Sequence, residues 1–221
     1  MSILESDKDA RRVAFVLLLH PNPVGSTPVT DALGWDEDHA RVVMTRMEEE
    51  RLLTWEWRPV DPRSLFYELA SVWCDDQASV ALAREPAPQS GLSEALMLGL
   101  GNPEDEPGWA LSGKHAAAAY GIPVGSFPDV PHSFYVPTEA VVRRAKQELG
   151  QANGSAIKAV ITPSPMFWVT RHRVDGASKR LTNSHWPLVH PLVSALEVAR
   201  DDPALLTGWG PLPELSHHPW L

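Results

Sequence analysis

The sequence predicts an α+β protein, in which a helical N-terminal part precedes an α/β part with a small mixed sheet. Three observations lead to this prediction. Helical segments with regularly spaced apolar residues come first, within residues 7–51. Residues 109–137 then indicate an apolar entry, a Ser-Gly turn, a helix and a return strand, which is typical of an α/β core. Two further strand-like runs follow, at residues 157–162 and 167–172.

The N-terminal part begins with two predicted helices. Residues 7–20 contain apolar residues at helical spacing, and a proline-rich segment follows them. Thr27 is suited to cap a short second helix, residues 28–33, because Pro28 occupies its first position. Gly34 is the residue type that commonly ends a helix.

A third helix and a strand complete this part. Asp36 is suited to cap a helix that extends to about Arg51 and carries apolar residues three and four positions apart. Residues 54–60 alternate and predict a strand. Three helices, the last two joined by a glycine turn, followed by a strand are the order of a winged helix-turn-helix domain. We assign this domain to residues 1–62.

The third helix and the strand carry the residues that we predict to contact DNA, namely Arg41, Thr45, Arg46 and Arg58. The helix begins with three acidic residues at positions 36–38. These suit the helix dipole, but they would face phosphates if this end of the helix entered the major groove. A protein-binding use of the same fold therefore stays open beside DNA binding.

Charge is distributed unevenly along the chain. The net charge of -9 argues against a generic nucleic-acid surface. Residues 64–112 carry 1 basic and 8 acidic residues, a net charge of -7, whereas residues 113–221 have a net charge of +2. The acidic middle indicates a second class of function, which is the binding of a basic protein partner.

A helical connector with an acidic loop is predicted over residues 63–108. One helix follows Asp61, and a second covers Leu92 to Leu100. Cys74 is the single cysteine, which excludes an intramolecular disulfide and a cysteine-rich zinc site and fits a reducing cytoplasm. No apolar run reaches the roughly 18 residues that a membrane span needs, so no membrane partner is expected.

The α/β domain is predicted over residues 109–221. A helix capped by Thr138 ends at Leu149, and a last helix covers residues 190–200. The tail, residues 208–221, is rich in proline and tryptophan and is predicted to lack regular structure.

Motifs for metal or phosphate chemistry are incomplete. No pair of histidines has the spacing of an HExxH zinc motif, so no metal site is predicted. Residues 108–115, GWALSGKH, depart from a P-loop because His115 replaces the hydroxyl residue that would hold Mg²⁺. Lys114 is left as a candidate for a phosphate contact at a helix start. We assign no cofactor and no catalytic residue.

Four segments carry a family resemblance: DALGWDEDHARVVMTRMEEERLL, LSGKHAAAAYGIP, FYVP and WPLVHPLVSALEVARDDPALLTGW. Through them the chain resembles AbiE-type antitoxins, the repressor half of an abortive-infection toxin–antitoxin pair. Those proteins place an N-terminal winged helix ahead of a degenerate nucleotidyltransferase-like α/β domain. The resemblance implies a cytoplasmic DNA-binding regulator with double-stranded operator DNA and a toxin as partners. The sequence leaves the oligomeric state open, with a dimer as one form.

The resemblance also implies that catalysis is lost. Active nucleotidyltransferases of this fold need a Gly-Ser turn and a paired Asp-x-Asp that holds Mg²⁺ against the triphosphate. The comparable turn here is Leu111-Ser112-Gly113, and the strand at 132–135 has no acidic residue. Asp129 stands alone before it. We therefore expect a binding scaffold and not an enzyme.

Overall fold

The computed structural model describes residues 2–20, 25–73, 77–86, 91–103, 106–122, 124–125, 130–175 and 186–207. The chain divides into two compact units, one formed by Met1–Trp73 with Ala199–Leu221 and the other by Cys74–Val198. The α+β class predicted from the sequence is confirmed. Helices make up the first unit as far as it is described, and the second contains a mixed four-stranded sheet.

The first unit is built on a central helix. The helices described within residues 1–73 are α1 (Ile3–Ser6), α2 (Lys8–Leu19), α3 (Thr27–Leu33), α4 (Glu37–Glu49) and α5 (Pro62–Ser71). Seven of the 12 residues of α2 are buried, and α3, α4 and α5 all pack against it. Aspartate side chains cap three of these helices, because Asp7, Asp36 and Asp61 accept hydrogen bonds from backbone N–H groups in the first turns of α2, α4 and α5.

The strand predicted at residues 54–60 is wrong, because this segment forms a tight turn. Leu53 and Pro59 form an isolated antiparallel bridge, and the Trp57 N–H donates to the Thr54 carbonyl at 2.7 Å. Trp57 has a φ of 57°, which turns the chain back within the alternating run. We name residues 52–60 the ribbon and residues 54–58 the ribbon tip.

The sheet of the second unit has the strand order β1-β4-β3-β2. Its strands are β1 (Val80–Leu82), β2 (Ala110–Ser112), β3 (His132–Val136) and β4 (Ala159–Pro163). The two central strands are parallel, and both outer strands are antiparallel to their neighbours. The strands predicted around residues 133–136 and 157–162 are confirmed as β3 and β4, whereas β1 and β2 are strands that the sequence did not predict.

Helices cover this sheet on the path between its strands. Helix α6 (Gly113–Ala119) packs on β2 and β3, with Ala116, Ala117 and Ala119 buried. Helix α7 (Glu139–Leu149) joins β3 to β4, and the Thr138 side chain caps it as predicted. A short 3₁₀ helix at Gly154–Ala156 precedes β4.

The strand predicted at residues 167–172 is wrong, because this segment is helix α8 (Phe167–Arg171). Strand β4 already has a neighbour on each side, so its ladder leaves no position for the segment that follows. Side chains support the helical turn instead, since the Thr170 hydroxyl donates to the Phe167 carbonyl at 3.2 Å and Trp168 stacks on His172.

The helix predicted at residues 92–100 is also wrong, because residues 91–97 form successive turns. Met97 has a φ of 51°, and the Leu98 N–H reaches back five residues to the Ser93 carbonyl. The irregular path directs the Leu96 carbonyl to the indole N–H of Trp109, at 2.8 Å. The last helices of the described residues are α9 (Pro191–Asp201), which confirms the predicted helix at 190–200, and α10 (Ala204–Thr207).

Several predictions fall outside the described residues. They concern Cys74, Asp129, part of the acidic loop at 101–108, and the tail at 208–221. Within the described part of the chain, no helix combines the length and apolar character needed to cross a bilayer.

Candidate nucleic-acid interface

The predicted interface begins at the turn between α3 and α4. Gly34 has a φ of 66°, a left-handed conformation that costs glycine little, and its N–H donates to the Thr30 carbonyl at 2.8 Å. The Asp36 carboxylate then accepts the His39 N–H at 2.8 Å. The sequence DALGWD therefore ends one helix and starts the next within three residues.

One face of α4 is buried and the opposite face is open to solvent. The buried residues are Ala40, Val43, Met44 and Met47. The exposed residues include Asp38, Arg41, Val42, Thr45, Arg46 and Glu49. Two residues predicted to contact DNA, Arg41 and Thr45, thus lie one turn apart on the exposed face, and Arg46 is next to them. An acidic residue lies toward each end of this face.

Each predicted DNA-binding arginine has an acidic partner in the folded chain. Arg41 pairs with Glu37 at 2.6 Å, Arg46 with Asp7 at 2.7 Å, and Arg58 with Glu56 at 3.3 Å. The arginine side chains are 55%, 47% and 49% exposed, respectively. The Arg41 and Arg58 pairs are exposed on both sides, and such pairs contribute about 0–1 kcal/mol, so exchanging their carboxylates for phosphates is energetically cheap. The Asp7 partner of Arg46 is only 18% exposed and also caps α2, so that pair is less readily exchanged.

The ribbon is held by backbone hydrogen bonds on both sides of its bridge. The Thr54 N–H donates to the Arg58 carbonyl at 2.8 Å, and the Val60 N–H donates to the Leu52 carbonyl at 3.0 Å. Trp55 lies in the ribbon tip and is 78% exposed. The sequence prediction overlooked Trp55, because alternation in TWEW gives no sign of which tryptophan faces solvent.

The ribbon tip and the start of α4 contact one short segment, residues 25–26. The Gly25 N–H donates to the Glu56 carbonyl at 3.5 Å, and the Ser26 hydroxyl donates to the Glu37 carboxylate at 3.4 Å. Glu37 in turn holds Arg41. The ribbon tip and the first turns of α4 are therefore joined on the same side of the first unit.

In the second unit, the start of α6 holds a carboxylate and not an open anion site. The Gly113 N–H donates to Glu197 Oε2 at 2.9 Å, and Glu197 is buried. Ser112 is buried as well, whereas the predicted phosphate contact, Lys114, is exposed. A carboxylate at this position opposes the binding of a phosphate there. The sequence prediction overlooked Glu197, which lies 84 residues further along the chain.

A second carboxylate lies beside two histidines near the same helix. Glu85 accepts hydrogen bonds from the indole N–H of Trp186 at 3.1 Å and contacts Nδ1 of His132 at 2.9 Å. The ring of His115 lies 4.2 Å from that of His132. Burial, together with the nearby charge of His132, lowers the pKa of His115 from 6.5 to about 4.

Clusters suited to metal binding are absent from the described residues, in which no group of three or more His, Cys, Asp or Glu side chains is arranged to hold an ion.

Comparison with known proteins found no matching family model, no matching curated protein and no matching solved structure.

Proposed function

We propose that this protein is a DNA-binding transcriptional regulator whose first unit is a winged helix that binds an operator through α4 and the ribbon. The supporting observation is the exposed face of α4, which follows a glycine turn and carries Arg41, Thr45 and Arg46 on a helix whose other face is buried. Arg58 adds a cation from the ribbon.

The acidic residues at the start of α4 are compatible with this proposal. The Asp36 carboxylate caps the helix, and the Glu37 carboxylate is held by Arg41 and by the Ser26 hydroxyl. Both therefore have structural partners and also compensate the helix dipole. Asp38 and Glu49 remain exposed on the face that would meet DNA, which predicts weak non-specific binding, because carboxylates repel phosphates and neutralise none of them.

The resemblance to AbiE-type antitoxins supplies the biological setting of the proposal. In that setting the protein is a cytoplasmic autorepressor with a toxin as its partner. The second unit is a nucleotidyltransferase-like domain without catalysis. The Glu197 carboxylate at the start of α6 supports the loss of catalysis, because a triphosphate there would meet a negative charge.

The experiment is fluorescence anisotropy with a labelled duplex that covers the DNA immediately upstream of this protein's own coding sequence. Affinity should fall with salt, with a logarithmic slope of about -0.9 for each phosphate contact. Arg41→Ala should weaken binding and reduce the slope by about 1. Arg143→Ala is the matched control, because Arg143 also forms an exposed i,i+4 pair with a glutamate, but on α7. The absence of salt-dependent binding at low ionic strength would refute the proposal.

A second candidate function is the binding of a basic protein partner through the same unit. Asp38 and Glu49 on the exposed face of α4 favour it, because they give that face negative charge. Much of the acidic middle on which the sequence prediction relied lies outside the described residues, including Asp75 and Asp76. Co-purification from native cells tests this function. Recovery of the protein alone and monomeric at every salt concentration would count against it.

A further inference from the structure

The ribbon tip presents an aromatic side chain to solvent. Trp55 is 78% exposed, the highest value among the exposed large apolar residues of the described chain. Tryptophan is highly buried on average, so the exposure of Trp55 departs from the usual environment of this residue type. The neighbouring Trp57 is only partly exposed, so the two aromatic residues of the tip have different environments.

The tip that carries Trp55 has a defined conformation. Its backbone is closed by the bonds from Trp57 to Thr54 and from Thr54 to Arg58. The Thr54 hydroxyl also accepts the Arg58 N–H, at 3.2 Å. Trp57 occupies the left-handed region, which is costly for a residue with a side chain and persists only where the surroundings enforce it. The backbone that carries Trp55 is thus held in a defined turn.

The position of the tip relates Trp55 to the proposed DNA-binding face. Residues 25–26 contact both the tip, through Glu56, and the first turn of α4, through Glu37. Arg58, three residues after Trp55, provides a cation on the same turn. An exposed aromatic ring beside an arginine can make an apolar contact to base edges or sugars in a groove while the arginine contacts a phosphate.

We infer that Trp55 contacts the bases or sugars of the bound duplex and supplies a part of the affinity that does not depend on salt. The inference rests on the proposed DNA binding and concerns which side chains contact the duplex. Arg41, Arg46 and Arg58 position the duplex through its phosphates, and the Trp55 ring packs against an apolar surface that phosphate contacts do not reach. Such a contact releases no counterions, which separates it from the arginine contacts.

The test measures anisotropy with the labelled upstream duplex over a series of salt concentrations. Trp55→Ala should raise the Kd on the order of tenfold at every salt concentration and leave the salt slope unchanged. Trp55→Phe should retain most of the affinity, because it keeps an aromatic face. Phe167→Ala is the matched control, since Phe167 is another exposed aromatic residue and lies in the second unit. It should bind as the wild type does.

The outcomes separate the inference from the proposed function. If Trp55→Ala binds DNA with the wild-type affinity and salt slope, the inference is overturned while the proposed DNA binding stands. The inference is also overturned if Trp55→Ala binds DNA normally but no longer co-purifies with a protein partner. A Trp55→Ala variant that changes the slope as Arg41→Ala does would overturn it as well. If the wild-type protein shows no salt-dependent binding, the proposed function fails and the inference fails with it. A thermal melt of Trp55→Ala at the wild-type temperature confirms that the comparison is made on folded protein.

Discussion

The buried guanidinium of Arg173 binds backbone carbonyls of residues 98–99 and of residues 106 and 109, and its removal should destabilise the second unit. Nη1 donates to the carbonyls of Leu98 (3.2 Å) and Trp109 (3.0 Å), and Nη2 donates to those of Gly99 and Glu106 (both 2.6 Å). Burial lowers the pKa of Arg173 to about 10, so the group remains charged at neutral pH.

The magnitude for Arg173→Met follows from these acceptors. The Leu98 carbonyl keeps a second donor, the Trp109 N–H at 3.2 Å, whereas the other three carbonyls lose the guanidinium. At about 1 kcal/mol for each such loss, the cost is about 3 kcal/mol. Removing a buried charge offsets part of it, which leaves about 2–3 kcal/mol. The stability of Arg173→Lys should lie between that of the wild type and that of Arg173→Met. A single ammonium group cannot donate to all the carbonyls that now accept from two separate guanidinium nitrogens.

Urea denaturation followed by tryptophan fluorescence measures this change in the free energy of unfolding. Arg143→Met is the control, since the Arg143 side chain is 70% exposed and its removal should change stability by less than about 0.5 kcal/mol. An Arg173→Met protein within about 0.5 kcal/mol of the wild type would refute the reasoning. Such a result would mean that the residues around these carbonyls keep their conformation without the hydrogen bonds from Arg173.

Two further predictions concern the second unit. Ala117 is fully buried where α6 packs on the sheet, whereas Ala118 is partly exposed, so Ala117→Leu should lower the free energy of unfolding by about 1–3 kcal/mol and Ala118→Leu by less. Equal melting temperatures for both variants and the wild type would contradict the packing of α6. The lowered pKa of His115 predicts that stability falls as the pH drops from 6.5 towards about 4, because the unfolded state then binds a proton that the native histidine does not. The free energy of unfolding, measured by denaturation at several pH values, should depend less on pH in this range for His115→Gln than for the wild type. An unchanged pH dependence would count against a half-buried, neutral His115.

Local signals in the sequence predicted several helix starts but not all: α1 is capped by Ser2 and was not predicted, and Thr27, which was predicted as a cap, is the first residue of α3. Asp36, Gly34 and Thr138 act at short range, so their residue types alone indicate where a helix begins or ends. The helices α4 and α7 were predicted for this reason. Their buried faces could also be read from the three- and four-residue spacing of apolar side chains.

Predictions failed where distant residues decide the local structure. Residues 167–172 contain β-forming side chains, but the position beside β4 is already occupied by β1, which lies much earlier in the chain. Residues 92–100 have helical composition, yet the Leu96 carbonyl is drawn to the indole of Trp109. Glu197 reaches the start of α6 from another helix, and no local pattern indicates such a contact.

The topology of the sheet also has a consequence for synthesis on the ribosome. Strands β3 and β4 and the helix between them are contiguous in sequence, whereas β1 pairs with β4 through Val80 and Ile161. At about 5–20 residues per second, roughly 4–16 seconds pass between the emergence of these two strands. Throughout that interval the backbone groups of β1 lack their native partner. Because β1 spans only three residues, Val80–Leu82, the nascent chain exposes only a short stretch of unpaired strand backbone to other chains and to chaperones before β4 is synthesised.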